Sequence, residues 1–326
     1  MSRAVVASLG AGRMGRGIAQ AFAYAGHDVL LIDAKERTPA AAARLASEAL
    51  AEIDASLAAL ASLGAFDDAE RPRIVGRIAV VPRAEAPAAL ARAEVLFEGV
   101  PEVVETKRAA FEWACEHLRP DALVASTTST MLSTELAAFV TRPERFLNAH
   151  WLNPAYLVPL VELSPHGGTA PEALARMRAL LEAIGKVPVV CAAAPGFIVP
   201  RLQALMMNEA ARMIEQGIAS PEDIDRAVRW GLGFRYANMG VVEFIDVGGL
   251  DILFYASRYL ARSTRDDRYA SPPIVDEHMR AGRDGLRSGR GFYDWRGVDV
   301  AAFRRELLGR QLALLRQLGM LRPPQA

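Results

Sequence analysis

The chain has 326 residues, 52% of them apolar, which is enough for two domains with cores of their own. Lysine plus arginine equals aspartate plus glutamate at 38 each, so the formal net charge is zero and there is no basic excess for nucleic acid. The two cysteines, Cys115 and Cys191, form no CxxC pair; no His/Cys cluster has metal-ligand spacing, and no stretch is apolar for the ~18 residues of a membrane span. The expected setting is therefore a reducing cytoplasm, with neither metal nor membrane.

"RAVVASLG" (Arg3 to Gly10) is short, β-branched and followed by glycines, which predicts a buried strand. "MGRGIAQAFAYAG" has helical spacing and stops at Gly26, and "HDVLLID" reads as a second strand. Strand, helix and strand in succession form a βαβ unit and predict a parallel sheet. Thr38-Pro39 opens a long Ala-rich helix to about Leu63, with threonine as N-cap and proline at the first helical position. "RIAVV", "EVLFEGV" and "DALVAS" add strands, with "ETKRAAFEWACEHL" as a helix before the last of them.

The pattern changes after "GKVPVVC". "AAAPG" (Ala192 to Gly196) marks a boundary, and the chain beyond it is nearly all helical: Phe197 to Gln216, Ser220 to Arg229, then "VVEFIDVGGLDILFYASRYL". The expected fold is α/β: a Rossmann-type doubly wound parallel sheet over residues 1–193, succeeded by an all-α domain over residues 194–326.

Gly10, Gly12 and Gly15 have GxGxxG spacing between a strand and a helix. The first permits a tight turn, the second lets a pyrophosphate approach the backbone, and the third lets helix and strand pack closely. The helix N-terminus offers free N–H groups to the phosphates. Asp33, at the end of the second strand, stands where a ribose hydroxyl pair is bound and would repel a 2′-phosphate, so NAD is expected over NADP. Gly10, Gly12, Met14, Gly15 and Asp33 form this candidate cofactor site.

"NAHWLNPAYLVPLVELSP" (Asn148 to Pro165) reads as buried strand yet holds His150, Asn153 and Glu162. A buried carboxylate without a partner costs several kcal/mol, roughly, so something must pair with Glu162. Asn153-Pro154 predicts a turn that brings His150 opposite it. A carboxylate beside an imidazole orients the ring, which suits a pair that moves a proton while a hydride leaves.

From these residues the chain resembles the 3-hydroxyacyl-CoA dehydrogenase family. "GAGRMGRGIAQ" is similar to its cofactor loop, "VPEVVETK" to its next cofactor segment, "STTST" to its SNTSS-type loop and "HWLNPAYLVPLVE" to its HFFNPxxxMxLVE motif. "PGFIVPRL", "MNEA", "EDID" and "GLRSGRGFYDW" also have counterparts. The resemblance implies that His150 is the general acid or base on the C3 hydroxyl, that Glu162 orients it, and that Ser129 hydrogen-bonds the substrate oxygen. It places Glu102 and Lys107 along the ribose and nicotinamide of NAD, and Asn153 at the nicotinamide end. It also implies a homodimer through the helical domain.

The chain departs from the family in three places. Pro200 and Thr127 stand where the family has asparagines. Ala49 and Ser56 stand where it has a serine and a lysine that contact CoA, in a region made acidic by Glu48, Glu52 and Asp54. "GLGFRYA" carries Arg235 where acyl-CoA enzymes have a Gly-Pro turn. There the chain is similar to the gulonate dehydrogenase (lambda-crystallin) branch, and Arg235 is a candidate fork for a substrate carboxylate. The expected activity is an NAD-dependent 3-hydroxyacyl-CoA dehydrogenase, 3-hydroxybutyryl-CoA dehydrogenase-like. The alternatives are a dehydrogenase of a free or carboxylated 3-hydroxy acid, and a structural protein that keeps the fold without the chemistry.

Overall fold

The computed structural model describes residues 3–324. The chain divides into two compact units, Met1–Met207 and Asn208–Ala326. The division falls inside a helix, Val199–Glu215.

The first unit is built on one eight-stranded sheet in the order β3-β2-β1-β4-β5-β6-β7-β8. Its strands are β1 Val5–Leu9, β2 Asp28–Ile32, β3 Ile78–Val81, β4 Val95–Glu98, β5 Leu123–Ser126, β6 Phe146–Trp151, β7 Leu160–Pro165 and β8 Val187–Val190. Apolar residues cover both faces. One layer gathers Phe22, Ile53, Leu57, Phe97 and Trp151, the other Leu9, Phe111 and Phe146. Strands buried on both faces read as continuous apolar runs, which is why β1 and β2 stand out in the sequence. Each such side chain stabilises the fold by about 1.5–3 kcal/mol relative to exposure.

All strand pairs are parallel except β6–β7, which is antiparallel. The sheet is parallel as the βαβ start predicts, with this one pair as the exception. A parallel crossover takes about a dozen residues or more, and the short link between Trp151 and Leu160 is a turn instead. Its register sets His150 directly opposite Glu162.

The strand order reverses between β1 and β4. In open α/β sheets such a switch point opens a crevice beyond the carboxyl ends of the strands. Gly10 and Gly99, which come directly after these two strands, approach closely: a Cβ on Gly10 would lie 2.8 Å from the Gly99 carbonyl oxygen. Helix Arg13–Tyr24 starts at this point, and helix Pro39–Ser62 opens on Thr38, whose hydroxyl accepts the Ala41 N–H at 3.3 Å.

The second unit is helical, with Pro221–Ala227, Val241–Gly248, Leu250–Thr264, Pro273–Arg280 and Val300–Gln317 as its longer helices. The apolar run beginning at Val241 is two helices, because Gly249 takes φ 105° and ends the first. Asp246, fully buried, accepts hydrogen bonds from the Phe292 N–H (3.0 Å), the Tyr293 N–H (2.8 Å) and the Trp295 indole N–H (2.9 Å). A Cβ on Gly291 would sit 2.2 Å from that carboxylate. "GRGFYDW" is thus a turn wrapped around one buried acid.

Candidate active site

A cavity of about 500 Å³ lies at the switch point of the sheet. That is within the size of small-molecule sites, about 300–1,000 Å³. Its walls include Gly10, Gly12, Met14 and Asp33, which follow β1 and β2, and, on the other side of the switch point, Glu102, Lys107, Thr128 and Ser129, which follow β4 and β5.

These residues fit a dinucleotide. No side chain caps helix Arg13–Tyr24, so its first N–H groups are left for a ligand. A Cβ on Gly12 would meet nothing within 4 Å, whereas one on Gly15 would lie 2.0 Å from the Gly10 carbonyl oxygen. Gly12 therefore keeps space for a phosphate, and Gly15 lets the helix sit against the loop. Asp33 is 4% exposed; its carboxylate accepts the Lys35 N–H at 3.1 Å and the Arg37 Nε at 2.5 Å. The pairing with Arg37 was not read from the sequence, although the i,i+4 spacing signals it.

A buried network stands on the β4–β5 side. Lys107, 1% exposed, donates to Glu98 Oε1 at 2.9 Å and Oε2 at 3.1 Å, and pairs with Glu102 Oε2 at 3.2 Å. Glu98 also accepts the Ser126 hydroxyl at 2.6 Å and the Val100 N–H at 2.8 Å. Burial pushes the Glu98 carboxyl above its ordinary range, against the pull of Lys107, Ser126 and the Val100 N–H. Glu102 Oε1 in turn accepts the Thr128 hydroxyl at 2.8 Å and the Ser129 N–H at 2.7 Å, and Ser129 itself is exposed. Sequence reasoning missed Glu98 and Ser126. Glu98 interrupts the apolar run of "EVLFEGV", and that is the available signal, as it is for Glu162.

His150 and Glu162 meet on adjacent strands. His150 Nδ1 lies 2.7 Å from Glu162 Oε2, with the two residues 4% and 1% exposed. Glu162 Oε1 accepts the N–H groups of Ile198 (2.9 Å) and Val199 (2.8 Å), where helix Val199–Glu215 begins. A helix start favours negative charge, so the carboxylate is held by three donors and a dipole. Phe197 adopts φ 43°, a conformation rare outside glycine, as the chain turns into that helix. Its ring stacks on His150 with centroids 5.4 Å apart. Pro200 falls in the first turn of the helix, where a missing N–H costs nothing. With Nδ1 engaged by Glu162, the ring's open nitrogen is Nε2, which has no hydrogen-bond partner among the described residues.

Two further candidate residues, Asn153 and Arg235, have surroundings of their own. Asn153 does not line the switch-point cavity. The turn after β6 carries it into the wall of a neighbouring cavity of about 330 Å³, with Arg16, Gln20, Glu52 and Ser56. Arg13 borders both cavities. Arg235 belongs to the second unit, exposed on the short helix Phe234–Tyr236, with its guanidinium 5.3 Å from the centre of the Phe244 ring. Of the acids on helix Pro39–Ser62, Glu52 pairs with Arg16, and Asp54 pairs with Arg71 at 2.6 Å. Among the described residues no group of three or more His, Cys, Asp or Glu has the arrangement to hold a metal ion, and no helix is long and apolar enough to cross a membrane.

A doubly wound sheet with an uncapped glycine loop and an acid after β2 defines a dinucleotide-binding protein. Residues 5–194 match the family model described as 3-hydroxyacyl-CoA dehydrogenase, NAD binding domain, and residues 196–295 match the model of that enzyme's C-terminal domain. The chain is 35% identical over 293 residues to 3-hydroxybutyryl-CoA dehydrogenase of Bradyrhizobium diazoefficiens, covering 90% of this chain and 96% of that one. It is 32% identical over 316 residues to 5-formyl-3-hydroxy-2-methylpyridine 4-carboxylate 5-dehydrogenase of Mesorhizobium japonicum, covering 96% and 97%. The solved 3-hydroxyacyl-CoA dehydrogenase of Archaeoglobus fulgidus superposes with a TM-score of 0.75 at 30% identity, over 98% of this chain and all of that one. The chain belongs to the 3-hydroxyacyl-CoA dehydrogenase family. It is an NAD-dependent dehydrogenase acting on a hydroxyl group.

Proposed function

We propose that this enzyme interconverts short-chain 3-hydroxyacyl-CoA and 3-oxoacyl-CoA, as its 3-hydroxybutyryl-CoA relatives are named for doing. The observation that carries the chemistry is the His150–Glu162 pair, one imidazole nitrogen engaged at 2.7 Å and the other open. Nε2 takes the proton of the C3 hydroxyl as the C3 hydride leaves, and Glu162 stabilises the imidazolium that forms. Bound NAD supplies the hydride acceptor. Ser129 donates a hydrogen bond to the C3 oxygen, while Glu102 and Lys107 hold the ribose and nicotinamide side and Asn153 flanks its end. In this reading residues 1–193 hold the cofactor. Residues 194–326 supply substrate selectivity and the contact for a homodimer in the cytoplasm. Ile252, Tyr255 and Tyr259, each more than 60% exposed on helix Leu250–Thr264, suit that contact.

A second reading, a free or carboxylated hydroxy substrate, is favoured by one observation. Ala49 is buried and Ser56 is half-buried where the family's CoA contacts are expected, beside the acids Glu52 and Asp54. The Mesorhizobium japonicum relative is named for a pyridine carboxylate. NADH oxidation with acetoacetyl-CoA and with acetoacetate separates the two. The first reading expects kcat/KM at least about tenfold higher for the thioester, or 1.4 kcal/mol. Turnover of the free acid alone would overturn it. In that case Arg235→Ala should raise KM for carboxylated substrates selectively. Light scattering should give the mass of two chains; a monomer at micromolar concentration would remove the dimer from the reading.

A further inference from the structure

The network on the β4–β5 side of the cavity holds two carboxylates for one ammonium. Glu98 is fully buried and Lys107 nearly so, while the Glu102 side chain is 41% exposed and faces the cavity. A lysine placed to neutralise Glu102 needs no second acid. Here the shorter contacts run to Glu98, at 2.9 and 3.1 Å, against 3.2 Å to Glu102. Ser126 and the Val100 N–H complete the donors around Glu98, all of which favour its ionised form. These donors oppose the burial that raises the Glu98 pKa; counted as two carboxylates and one ammonium, the network carries a net charge of about minus one, with the exposed member on the cavity wall.

Asp33 marks the adenosine ribose end of the cavity, so Glu102 lies toward the nicotinamide end. The two redox forms of the cofactor differ there in charge: the oxidised ring is a cation and the reduced ring is neutral. We propose that Glu98, by engaging the Lys107 ammonium, leaves Glu102 with uncompensated negative charge at the nicotinamide end, and that this charge weights binding toward the oxidised cofactor. Glu98 is then a positioning residue that acts through Lys107 and touches no ligand. The proposal rests on the reading of this cavity as the cofactor site.

The test is calorimetric, with NAD⁺, NADH and ADP-ribose, on the wild type, Glu98→Gln, Glu102→Gln and Lys107→Met. In the glutamine variants the affinity for NAD⁺ relative to NADH should fall by about three- to tenfold, allowing for solvent screening at Glu102. In Lys107→Met the ratio should move the opposite way, which general damage to the site would not produce. ADP-ribose, lacking the nicotinamide ring, should bind wild type and Glu98→Gln within about twofold. An unchanged ratio in Glu102→Gln, with ADP-ribose still bound, overturns the proposal and spares the cofactor reading. This holds even if the buried substitutions fail to fold, because Glu102 is partly exposed. Failure of the wild type to bind ADP-ribose would bring down both.

Discussion

Glu162 and Asp246 are carboxylates buried to the same depth, one in each unit, and each is held by three donors. Around Asp246 every donor is a backbone amide or an indole, groups that neither gain nor lose a proton near neutrality. That network is closed, and its consequence is a folded turn. Around Glu162 the third donor is an imidazole whose opposite nitrogen is unpaired among the described residues. The difference lies in where the chain of hydrogen bonds ends. Burial of an acid does not mark a site of chemistry; an acid that orients a titratable group with an open end does.

The largest effect expected from this contrast is on Glu162→Gln. It keeps the shape and the contacts to Ile198 and Val199 but removes the charge that stabilises an imidazolium. kcat should fall by about 10²–10⁴-fold, while the dissociation constant for NADH, read by its fluorescence, stays unchanged. Asp246→Asn should show the reverse. Its amide turns an N–H toward donors, so unfolding in denaturant should show a loss of about 2–4 kcal/mol, with turnover per folded molecule far less affected. If Asp246→Asn abolished turnover without loss of stability, the two acids would not differ as described.

Gly12→Ala should leave stability within about 0.5 kcal/mol of the wild type, since its added methyl meets open space. NAD affinity should fall about tenfold, 1.4 kcal/mol. Unaltered NAD binding would mean that the phosphate does not come near this residue.

The smallest effect concerns a second buried imidazole. His27 is 8% exposed, and its Nδ1 accepts the Ala4 N–H at 3.1 Å. Burial is the main cause that lowers its pKa below 6.5. The unfolded chain then binds a proton first as pH falls. His27 thus contributes full stability above pH 6.5, and that contribution drains away as pH drops from there through the folded value. His27→Phe should flatten this part of the stability profile without moving the pH dependence of kcat. A shift in the rate profile instead would give His27 a catalytic part.

The sequence announced some of these features and hid others for physical reasons. The βαβ start was legible because its glycines and buried strands leave periodic traces. His150 and Glu162 were legible because both interrupt an apolar run and a turn signal lies between them. The amides of Ile198 and Val199 were not, since backbone N–H groups have no letter of their own. Glu98 meets Ser126 through strand register, Glu98 opposite Ser126 across β4 and β5, and no local pattern carries that pairing. Asp246 lay inside what reads as an ordinary apolar helix, and its partners come from a distant turn. Asn153 is legible only through its motif position, since its place in the wall of a neighbouring cavity depends on the turn after β6.

The most direct test is a single-turnover measurement on His150→Gln, with NADH binding and NADH oxidation monitored in the same sample. Nε2 of His150 is the open end of the network, so NADH should bind as in the wild type while its oxidation by acetoacetyl-CoA slows by about a thousandfold. A rate within a few-fold of the wild type would show that the proton travels by another route.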